Sequence, residues 1–388
     1  MNRYLVVEQA LRAAAPHELL DVTRTQLRQL YQAEAVQLLL ADYALLMLQP
    51  VAELPYTSSP IPVNGSTPGQ AFGAQQPFVE HREGTAVTTY LPVTVRGDRL
   101  GVLAVDLADV PGQDDVAELG RIAQTLGHEI VVAERDTDLY LQARRATRLT
   151  LAAEMQWQLL PGRSCRRSEY DLGGQLEPAY AIYGDNFDWS TNAEHLTLTV
   201  TNGMGEGIDA ALLTNLAVNA LRNARRAGVP LADQAALADQ AIYGQHGGRV
   251  HVSVLLLQFE LKTGRVEVID AGSPSMWRLR GNTAERVTFE DQLPLGMFED
   301  TQFSPQEFHV RPGDRLIFAS DGVYDVASPA GERYGERALA RAINLTRLLP
   351  AAQVPREVLQ QLAGHRSGLT VDDDAMVLCL DWHGADRS

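Results

Sequence analysis

Several strand-like runs in the last two-thirds of the sequence carry an acidic or amide side chain at one end. An alternating run leads into Asn202, an apolar run stops at Asp321, and another apolar run begins just after Asp373. Asp185 lies in a similar place beside a short run. One Asp after a strand is commonly a turn residue, whereas several on the same side of one domain predict a cluster. Clustered carboxylates repel one another unless a cation offsets them, and hard divalent cations prefer oxygen ligands.

Length and composition are those of an ordinary globular protein. The 388 residues predict two or three domains. Hydrophobic residues make up 45% and charged residues 21%, which excludes a disordered or collagen-like chain. No apolar run reaches the roughly 18–20 residues of a membrane span, and the amino terminus lacks a signal-peptide pattern. We therefore expect a cytoplasmic protein with no membrane association.

Charge and cysteine usage narrow the class of function. There are 33 Lys and Arg residues against 49 Asp and Glu, a net charge of −16. A chain this acidic is a poor nucleic-acid binder, because phosphate neutralisation needs clustered cations. Cys165 and Cys379 lie far apart and form no CxxC motif, which argues against a thiolate zinc site or a disulfide framework. The two cysteines therefore fit a reducing compartment.

The first third of the chain has the pattern of a small α+β domain. Apolar residues recur at helical spacing near the amino terminus, and strand-like runs and a second helix follow. Residues 88–95 and 100–107 flank the short turn Arg96–Arg99, which predicts a hairpin. A segment rich in Pro, Gly and Ser at 60–69 is a predicted loop. Together these elements predict one domain over residues 1–135.

This order of elements resembles a GAF domain, which is a sensory fold. The phrases that carry the resemblance are Gly65–Phe72, Leu91–Gly97 and Leu100–Leu103. In that family a pocket over the sheet holds a small ligand or is empty. The resemblance therefore leaves two interpretations open: a small-molecule sensor, or a dimerisation platform whose pocket is empty.

The segment between the two parts of the chain is predicted to be helical. No Gly or Pro occurs from Val131 to Leu160, where Ala, Arg, Leu, Glu and Gln dominate. Apolar residues at heptad spacing favour pairing of two protomers, although Arg145 and Arg148 interrupt the seam. We therefore expect a linker and signalling helix at 136–160 and a homodimer. The alternative is a helix that lies along its own domain.

Short phrases in residues 153–382 match one enzyme family in order. They are Met155–Pro161, Tyr183–Asp188, Asn202–Leu212, Asp270–Pro274, Leu293–Gly296, Pro312–Leu316, Ser320–Val323 and Asp373–Ala375. They resemble the metal-dependent serine/threonine phosphatases of the protein phosphatase 2C type, in their bacterial stage II sporulation protein E branch. That resemblance implies a catalytic domain over 161–383, folded as an α-β-β-α sandwich of two antiparallel sheets.

The resemblance also implies a metal-dependent phosphatase site. Its catalytic residues and metal ligands are the side chains of Asp185, Asn202, Asp321 and Asp373, and the carbonyl of Gly203 is a further ligand. In the family, two Mn²⁺ or Mg²⁺ ions activate water for in-line attack on a phosphoserine or phosphothreonine. No other cofactor is implied. The implied substrate is a phosphorylated regulatory protein of the anti-anti-sigma type.

Asn202 departs from the family pattern, in which an aspartate bridges both ions. An amide is neutral and offers one good oxygen, so metal affinity is expected to fall. Asp188 and Glu206 are candidates to restore negative charge, and Asp374 is a candidate ligand through water. Ser273 stands where many members have histidine. Two functions therefore stay open: a working phosphatase with a rebuilt site, or a pseudophosphatase that signals by contact as a scaffold.

Overall fold

In a computed structural model, the chain forms two compact units, residues 1–148 and 149–388. The residues that the structure describes are 2–82, 84–178, 180, 184–368 and 373–385. Within these ranges, no helix combines the length and the apolar character needed to cross a membrane.

The first unit is an antiparallel sheet with helices on both faces. Its helices are α1 (Arg3–Ala13), α2 (Leu19–Tyr31), α3 (Thr67–Ala74), α4 (Gln113–Ala133) and α5 (Leu139–Ala143). Its strands are β1 (Ala35–Ala41), β2 (Met47–Glu53), β3 (Tyr56–Thr57), β4 (Ile61–Pro62), β5 (Phe78–His81), β6 (Val87–Val95) and β7 (Asp98–Leu107). The strand order is β3-β2-β1-β7-β6-β5, and β4 pairs with β2.

Alternation along β1 gives the sheet an apolar core on each face. Leu38 and Leu40 join the larger cluster, which includes side chains of α1, α2 and α4. Leu39 and Ala41 point the other way and join a smaller cluster with Phe72 of α3. The alternating pattern of the sequence therefore accounts for both layers of helices.

The predicted hairpin of this unit is confirmed. Arg96 and Gly97 join β6 to β7, and their φ angles of 51° and 95° are the left-handed values that a two-residue hairpin turn requires. The α+β class is confirmed as well. The GAF-like identity of residues 1–135 stays a prediction.

The continuous helix expected at 136–160 is wrong. α4 ends at Ala133, and the segment after it contains only α5 and, in the second unit, α6 (Leu151–Leu159). Two threonines in the segment, Thr137 and Thr150, accept nearby backbone N–H groups, and such local bonds favour helix ends. The hydroxyl of Thr150, for example, accepts the N–H of Ala153 at 3.1 Å and begins α6. Pairing of two protomers through this segment stays a prediction.

The second unit contains six helices and eleven strands among its described residues. The helices are α6, α7 (Gly207–Arg226), α8 (Leu231–His246), α9 (Asp321–Tyr324), α10 (Ala338–Leu345) and α11 (Val354–Arg366). The strands are β8 (Ser164–Arg166), β9 (Tyr170–Glu177), β10 (Asp185–Thr191), β11 (His195–Gly203), β12 (Val252–Glu260), β13 (Arg265–Ala271), β14 (Ser275–Arg280), β15 (Thr283–Val287), β16 (Gln306–His309), β17 (Arg315–Ala319) and β18 (Ala375–Trp382).

These strands form two antiparallel sheets that lie between two pairs of helices. One sheet has the order β10-β11-β12-β13-β16, and the other has the order β15-β14-β17-β18-β9-β8. α7 and α8 pack on the first sheet through side chains such as Leu213 and Ile242. α10 and α11 cover the second sheet through side chains such as Ile343 and Val358. The predicted α-β-β-α sandwich is confirmed.

Large side chains join the two sheets at positions where the facing strand is small. The ring of Phe187 in β10 lies so close to Gly174 in β9 that a Cβ there would come within 2.7 Å of it. The rings of Phe259 and Trp382 stack with centroids 5.9 Å apart. This close packing holds β10 of one sheet against β9 of the other.

Candidate metal centre

The predicted acidic positions lie at the ends of neighbouring strands. Asp185 begins β10 and is paired with Asn202, near the end of β11, in the antiparallel register. Asp321 begins α9 just after β17, and Asp373 lies two residues before β18, the neighbour of β17. Each sheet therefore contributes two polar side chains, both from adjacent strand ends.

Asp374 and Ser320 connect the two sheets beside these side chains. The buried carboxylate of Asp374 accepts the N–H of Gly184 at 2.7 Å and the N–H of Asp185 at 3.2 Å. The hydroxyl oxygen of Ser320 accepts the N–H of Met376 at 3.0 Å, and the same hydroxyl hydrogen-bonds to Asp185. Asp374, expected as a ligand through water, therefore holds the backbone that carries Asp185.

Asn202 is in direct contact with one of the predicted ligands. Its side-chain Nδ2 donates to Oδ1 of Asp321 at 2.6 Å and to the hydroxyl of Ser273 at 3.3 Å. A carbonyl oxygen at 2.6 Å from a carboxylate oxygen would repel it, so the nitrogen of the amide is the atom that faces Asp321. The substituted position therefore acts as a hydrogen-bond donor toward the carboxylate with which its family counterpart would share an ion.

Burial and neighbouring carboxylates raise the pKa of two members of this cluster, Asp185 and Asp373. Burial raises the pKa of Asp185 well above its ordinary value, and the negative charges of Asp374, Asp321 and Asp373 raise it further. Burial, followed by the charges of Asp321 and Glu206, also raises the pKa of Asp373. No positively charged side chain is among the described groups that shift the pKa of Asp185 or of Asp373. The cluster therefore carries negative charge that these residues leave uncompensated.

These residues fit a hard divalent cation by their donor chemistry. The side chains of Asp185, Asp321 and Asp373 offer only oxygen atoms as metal ligands, whereas Asn202 faces Asp321 with its amide nitrogen. Oδ2 of Asp185 is buried with no hydrogen-bond partner among the described residues. A buried carboxylate oxygen without a partner is costly, and a cation would satisfy it. In the described part of the chain, no three Asp, Glu, His or Cys side chains are already arranged to close around one ion. The hydrogen bond from Asn202 already engages Oδ1 of Asp321, one of the oxygens that would face the ion.

Three glycines allow the backbone segments of the site to approach one another. A Cβ on Gly184 would come within 2.3 Å of the Gly203 carbonyl oxygen, and a Cβ on Gly322 would come within 1.7 Å of the Asp374 carbonyl oxygen. The carbonyl of Gly184 accepts the N–H of Gly203 at 3.1 Å and the hydroxyl of Thr214 at 2.9 Å. Gly203, whose carbonyl is a predicted ligand, therefore lies beside the residue that precedes Asp185.

Replacing Gly322 by alanine is expected to destabilise the second unit by about 3 kcal/mol or more. The added methyl overlaps a backbone carbonyl, which cannot move aside as a flexible side chain can. Urea unfolding followed by tryptophan fluorescence measures the effect, since all four tryptophans lie after residue 149. The control is Gly364→Ala in α11, where a Cβ meets nothing within 4 Å and stability should rise by about 0.5–1 kcal/mol. Equal effects of the two substitutions would contradict the steric argument.

Asp188 does not lie with the other carboxylates, and its expected role of restoring negative charge is not supported. It is three residues after Asp185 in β10, so its side chain points to the opposite face of the strand. There it is buried and pairs with Arg222 at 2.7 Å and with Arg225 at 3.0 Å, both in α7. Glu206, by contrast, is exposed at the start of α7, and its charge acts on Asp373.

Two residues that position the site were not anticipated from the sequence. Ser320 belongs to the phrase Ser320–Val323, which is part of the family resemblance. Its hydroxyl could therefore have been predicted to lie at the site. Thr214 lies within α7 and is fully buried, and nothing in the sequence distinguishes it from a core residue. Only the fold shows that its hydroxyl reaches the carbonyl of Gly184.

Comparison with known families identifies this part of the chain. Residues 192–383 match the sequence model of the family described as stage II sporulation protein E (SpoIIE). These residues form a SpoIIE domain. The SpoIIE match includes Asn202, Asp321 and Asp373, and Asp185 lies just before it.

The curated relatives of the SpoIIE domain are distant in sequence. Protein IcfG of Synechocystis sp. is 20% identical over 255 residues, which cover 58% of this chain and 40% of the relative. The phosphoserine phosphatase RsbU of Bacillus subtilis is 19% identical over 207 residues, which cover 53% of this chain and 62% of the relative. The chain therefore spans between 40% and 62% of the length of these two relatives.

A solved structure gives the fold of the SpoIIE domain independently. The PP2C domain of SiaA from Pseudomonas aeruginosa is similar with a TM-score of 0.51 at 19% identity, over 60% of this chain and 93% of that domain. At this level of identity the similarity establishes the fold. The expected fold of the protein phosphatase 2C type is confirmed.

Proposed function

We propose that this protein is a metal-dependent phosphatase that hydrolyses phosphoserine or phosphothreonine on a regulatory protein of the anti-anti-sigma type. The observation that carries the proposal is that Asp185, Asp321 and Asp373 lie at neighbouring strand ends, where Oδ2 of Asp185 is buried without a hydrogen-bond partner among the described residues, and where burial and the neighbouring carboxylates raise the pKa of Asp185 and of Asp373. Such a cluster costs folding free energy unless a cation joins it. Two relatives named as phosphoserine phosphatases, RsbU and RsbP of Bacillus subtilis, support the choice of reaction.

The residues of the chain divide the work of this site. Asp185, Asp321 and Asp373, with the carbonyl of Gly203, are the proposed ligands of Mn²⁺ or Mg²⁺. When bound, such an ion supplies a Lewis acid that polarises the phosphoryl oxygens and lowers the pKa of water. The carboxylate of Asp374 holds the backbone of Asp185 by accepting the N–H of Asp185.

The second candidate function is a pseudophosphatase that acts as a signalling scaffold. It is favoured by the hydrogen bond from Asn202 to Asp321, because an N–H donor toward a ligand carboxylate opposes a shared cation. The loss of one negative charge at the bridging position acts in the same direction. The scaffold would retain the fold and bind its partner without hydrolysis.

The first unit is proposed to regulate this activity as a GAF-like sensor. A groove of about 500 Å³ lies over its sheet, and Arg24, Gln37, Tyr90 and Asp106 are among the residues that line it. Polar and charged side chains around an open groove suit a small polar ligand. The domain assignment of 1–135, 136–160 and 161–383, the homodimer and a cytoplasmic location belong to the same proposal.

The experiment that tests the reaction compares the wild type with Asp321→Ala in millimolar Mn²⁺. We expect the wild type to hydrolyse p-nitrophenyl phosphate and a phosphoserine protein, and we expect the variant to lose at least about 1,000-fold in kcat/KM, since metal ligands supply several kcal/mol. The control is Asp325→Ala, because Asp325 lies four residues further along and pairs with exposed Arg333. An inactive wild type, or equal activity of the Asp321 variant, would reject the phosphatase.

A further inference from the structure

A cation and two aromatic rings form a cluster where the hairpin of β14 and β15 meets α9. The guanidinium carbon of Arg286 lies 5.7 Å from the ring centroid of Trp277 and 5.5 Å from that of Tyr324. Nη2 of Arg286 also donates to the hydroxyl of Ser275 at 2.7 Å. Two rings and one hydrogen bond hold this exposed side chain in one orientation.

The cluster is joined to the carboxylate site by direct contacts. The hydroxyl of Tyr324 donates to the carbonyl of Ser273, whose own hydroxyl accepts from Asn202 at 3.3 Å. Tyr324 also ends the one-turn helix α9, which begins with Asp321. Arg286 is therefore linked to Asn202 and Asp321 through Tyr324 and Ser273, and it makes no hydrogen bond to the carboxylates of the site among the described residues.

The pairing of the other arginines of this hairpin sets Arg286 apart. Arg278 pairs with Glu285, and Arg280 makes two hydrogen bonds to Asp314. Among the described residues, the guanidinium of Arg286 forms no ion pair within 4.0 Å. Its charge still lowers the pKa of nearby Asp270, although burial and Asp291 together raise that pKa to about 6. Arg286 thus keeps donors for an anion that comes from outside the chain.

We propose that Arg286 is a specificity-determining residue that binds the phosphoryl oxygens of the substrate. This inference rests on the proposed function, because the substrate is a phosphoprotein. A phosphate dianion that approaches Asp185, Asp321 and Asp373 meets like charge, and a guanidinium at the rim offsets that repulsion. The planar guanidinium presents paired N–H donors that match two phosphate oxygens. The rings of Trp277 and Tyr324 already hold the side chain of Arg286 in place, so Arg286 loses less conformational entropy when phosphate binds.

The test measures binding of inorganic phosphate to the full chain in Mg²⁺ buffer by calorimetry, with no turnover required. Arg286→Gln is expected to weaken phosphate binding roughly tenfold. Arg286→Lys keeps the charge and loses the planar fork, so its phosphate affinity is expected to lie between those of the wild type and Arg286→Gln. The matched control is Arg278→Gln on the neighbouring strand, which should stay within twofold of the wild type. In the hydrolysis assay, the Gln variant should raise KM for p-nitrophenyl phosphate and leave kcat within about threefold.

The outcomes separate this inference from the proposed function. Equal phosphate affinity of the wild type and Arg286→Gln, or no phosphate binding by the wild type, would overturn the role of Arg286. Phosphate binding that depends on Arg286 in a wild type that hydrolyses nothing would support the role of Arg286 and reject the phosphatase. Arg286 is exposed, and its Lys variant keeps the charge. A loss of phosphate affinity that Arg278→Gln shares would therefore indicate general damage to the hairpin and would also overturn the proposal.

Discussion

Asp185→Asn is expected to abolish Mn²⁺-dependent phosphatase activity and, at the same time, to raise the melting temperature of the metal-free protein. Asp185 is buried at 2% exposure among other carboxylates, so its charge is repelled in the folded state and hydrated in the unfolded state. Removing that charge stabilises the metal-free fold, and each kcal/mol corresponds to about 2–4 °C for a unit of this size. The same change removes a proposed ligand and should cost at least about 1,000-fold in kcat/KM.

The pH dependence of stability gives a second signature of Asp185. Its pKa is raised in the folded state, so the folded protein binds more protons than the unfolded protein between the two pKa values. The free energy of unfolding of the metal-free wild type should therefore rise as the pH falls from neutral toward the ordinary Asp pKa of about 3.9, and this contribution should be missing in Asp185→Asn.

Thermal melts in EDTA between pH 5 and 8 measure both effects. The control is Asp325→Asn, whose partner Arg333 is 62% exposed, so the melting temperature should change by less than about 2 °C. A metal-free Asp185→Asn protein that melts below the wild type would contradict the assignment of uncompensated charge to this site.

Asn202→Asp is expected to raise Mn²⁺ affinity by a factor of about 10 to 100 and to lower the stability of the metal-free protein. The substitution replaces an N–H donor that faces Asp321 with a further carboxylate oxygen. Without an ion this adds a like charge to the cluster, whereas with an ion it adds a ligand. The difference between the melting temperatures with and without Mn²⁺ should therefore widen relative to the wild type.

Calorimetric titration of Mn²⁺ into the wild type and Asn202→Asp measures the affinity directly. Asn219→Asp, on an exposed part of α7, adds the same charge away from the site and should leave the affinity within about twofold. If Asn202→Asp gains activity that the wild type lacks, the pseudophosphatase is favoured. If its affinity for Mn²⁺ equals that of the wild type, the amide is not the limiting feature of the site.

Much of the site could be predicted from the sequence because strand ends are visible in the apolar pattern. An apolar run that ends at Asp321 and another that follows Asp373 placed both carboxylates at the ends of strands, and the structure makes these strands neighbours. The family resemblance supplied the antiparallel sandwich. Asp188 was a candidate for the site because it lies close to Asp185 in the sequence, and this was wrong. Its spacing of three residues from Asp185 already indicated the opposite face of the strand.

Features that depend on side-chain orientation or on local competition for hydrogen bonds could not be predicted from the sequence. Nothing in the residue identities indicates that the nitrogen of Asn202 faces Asp321, because that depends on two strand ends from different sheets. The segment 136–160 contains good helix formers and no Gly or Pro, yet it is interrupted. The hydroxyl of Thr150 begins α6 without any breaker residue, so a short polar side chain can set a helix start that composition does not reveal.

The central claim is that the carboxylate cluster binds a divalent cation and uses it to hydrolyse a phosphate ester. The most direct measurement titrates Mn²⁺ into metal-free wild-type protein by calorimetry and assays p-nitrophenyl phosphate hydrolysis on the same preparation. We predict saturable Mn²⁺ binding accompanied by turnover that EDTA removes. No binding and no turnover at millimolar Mn²⁺ would contradict this account and would leave the SpoIIE domain as a scaffold.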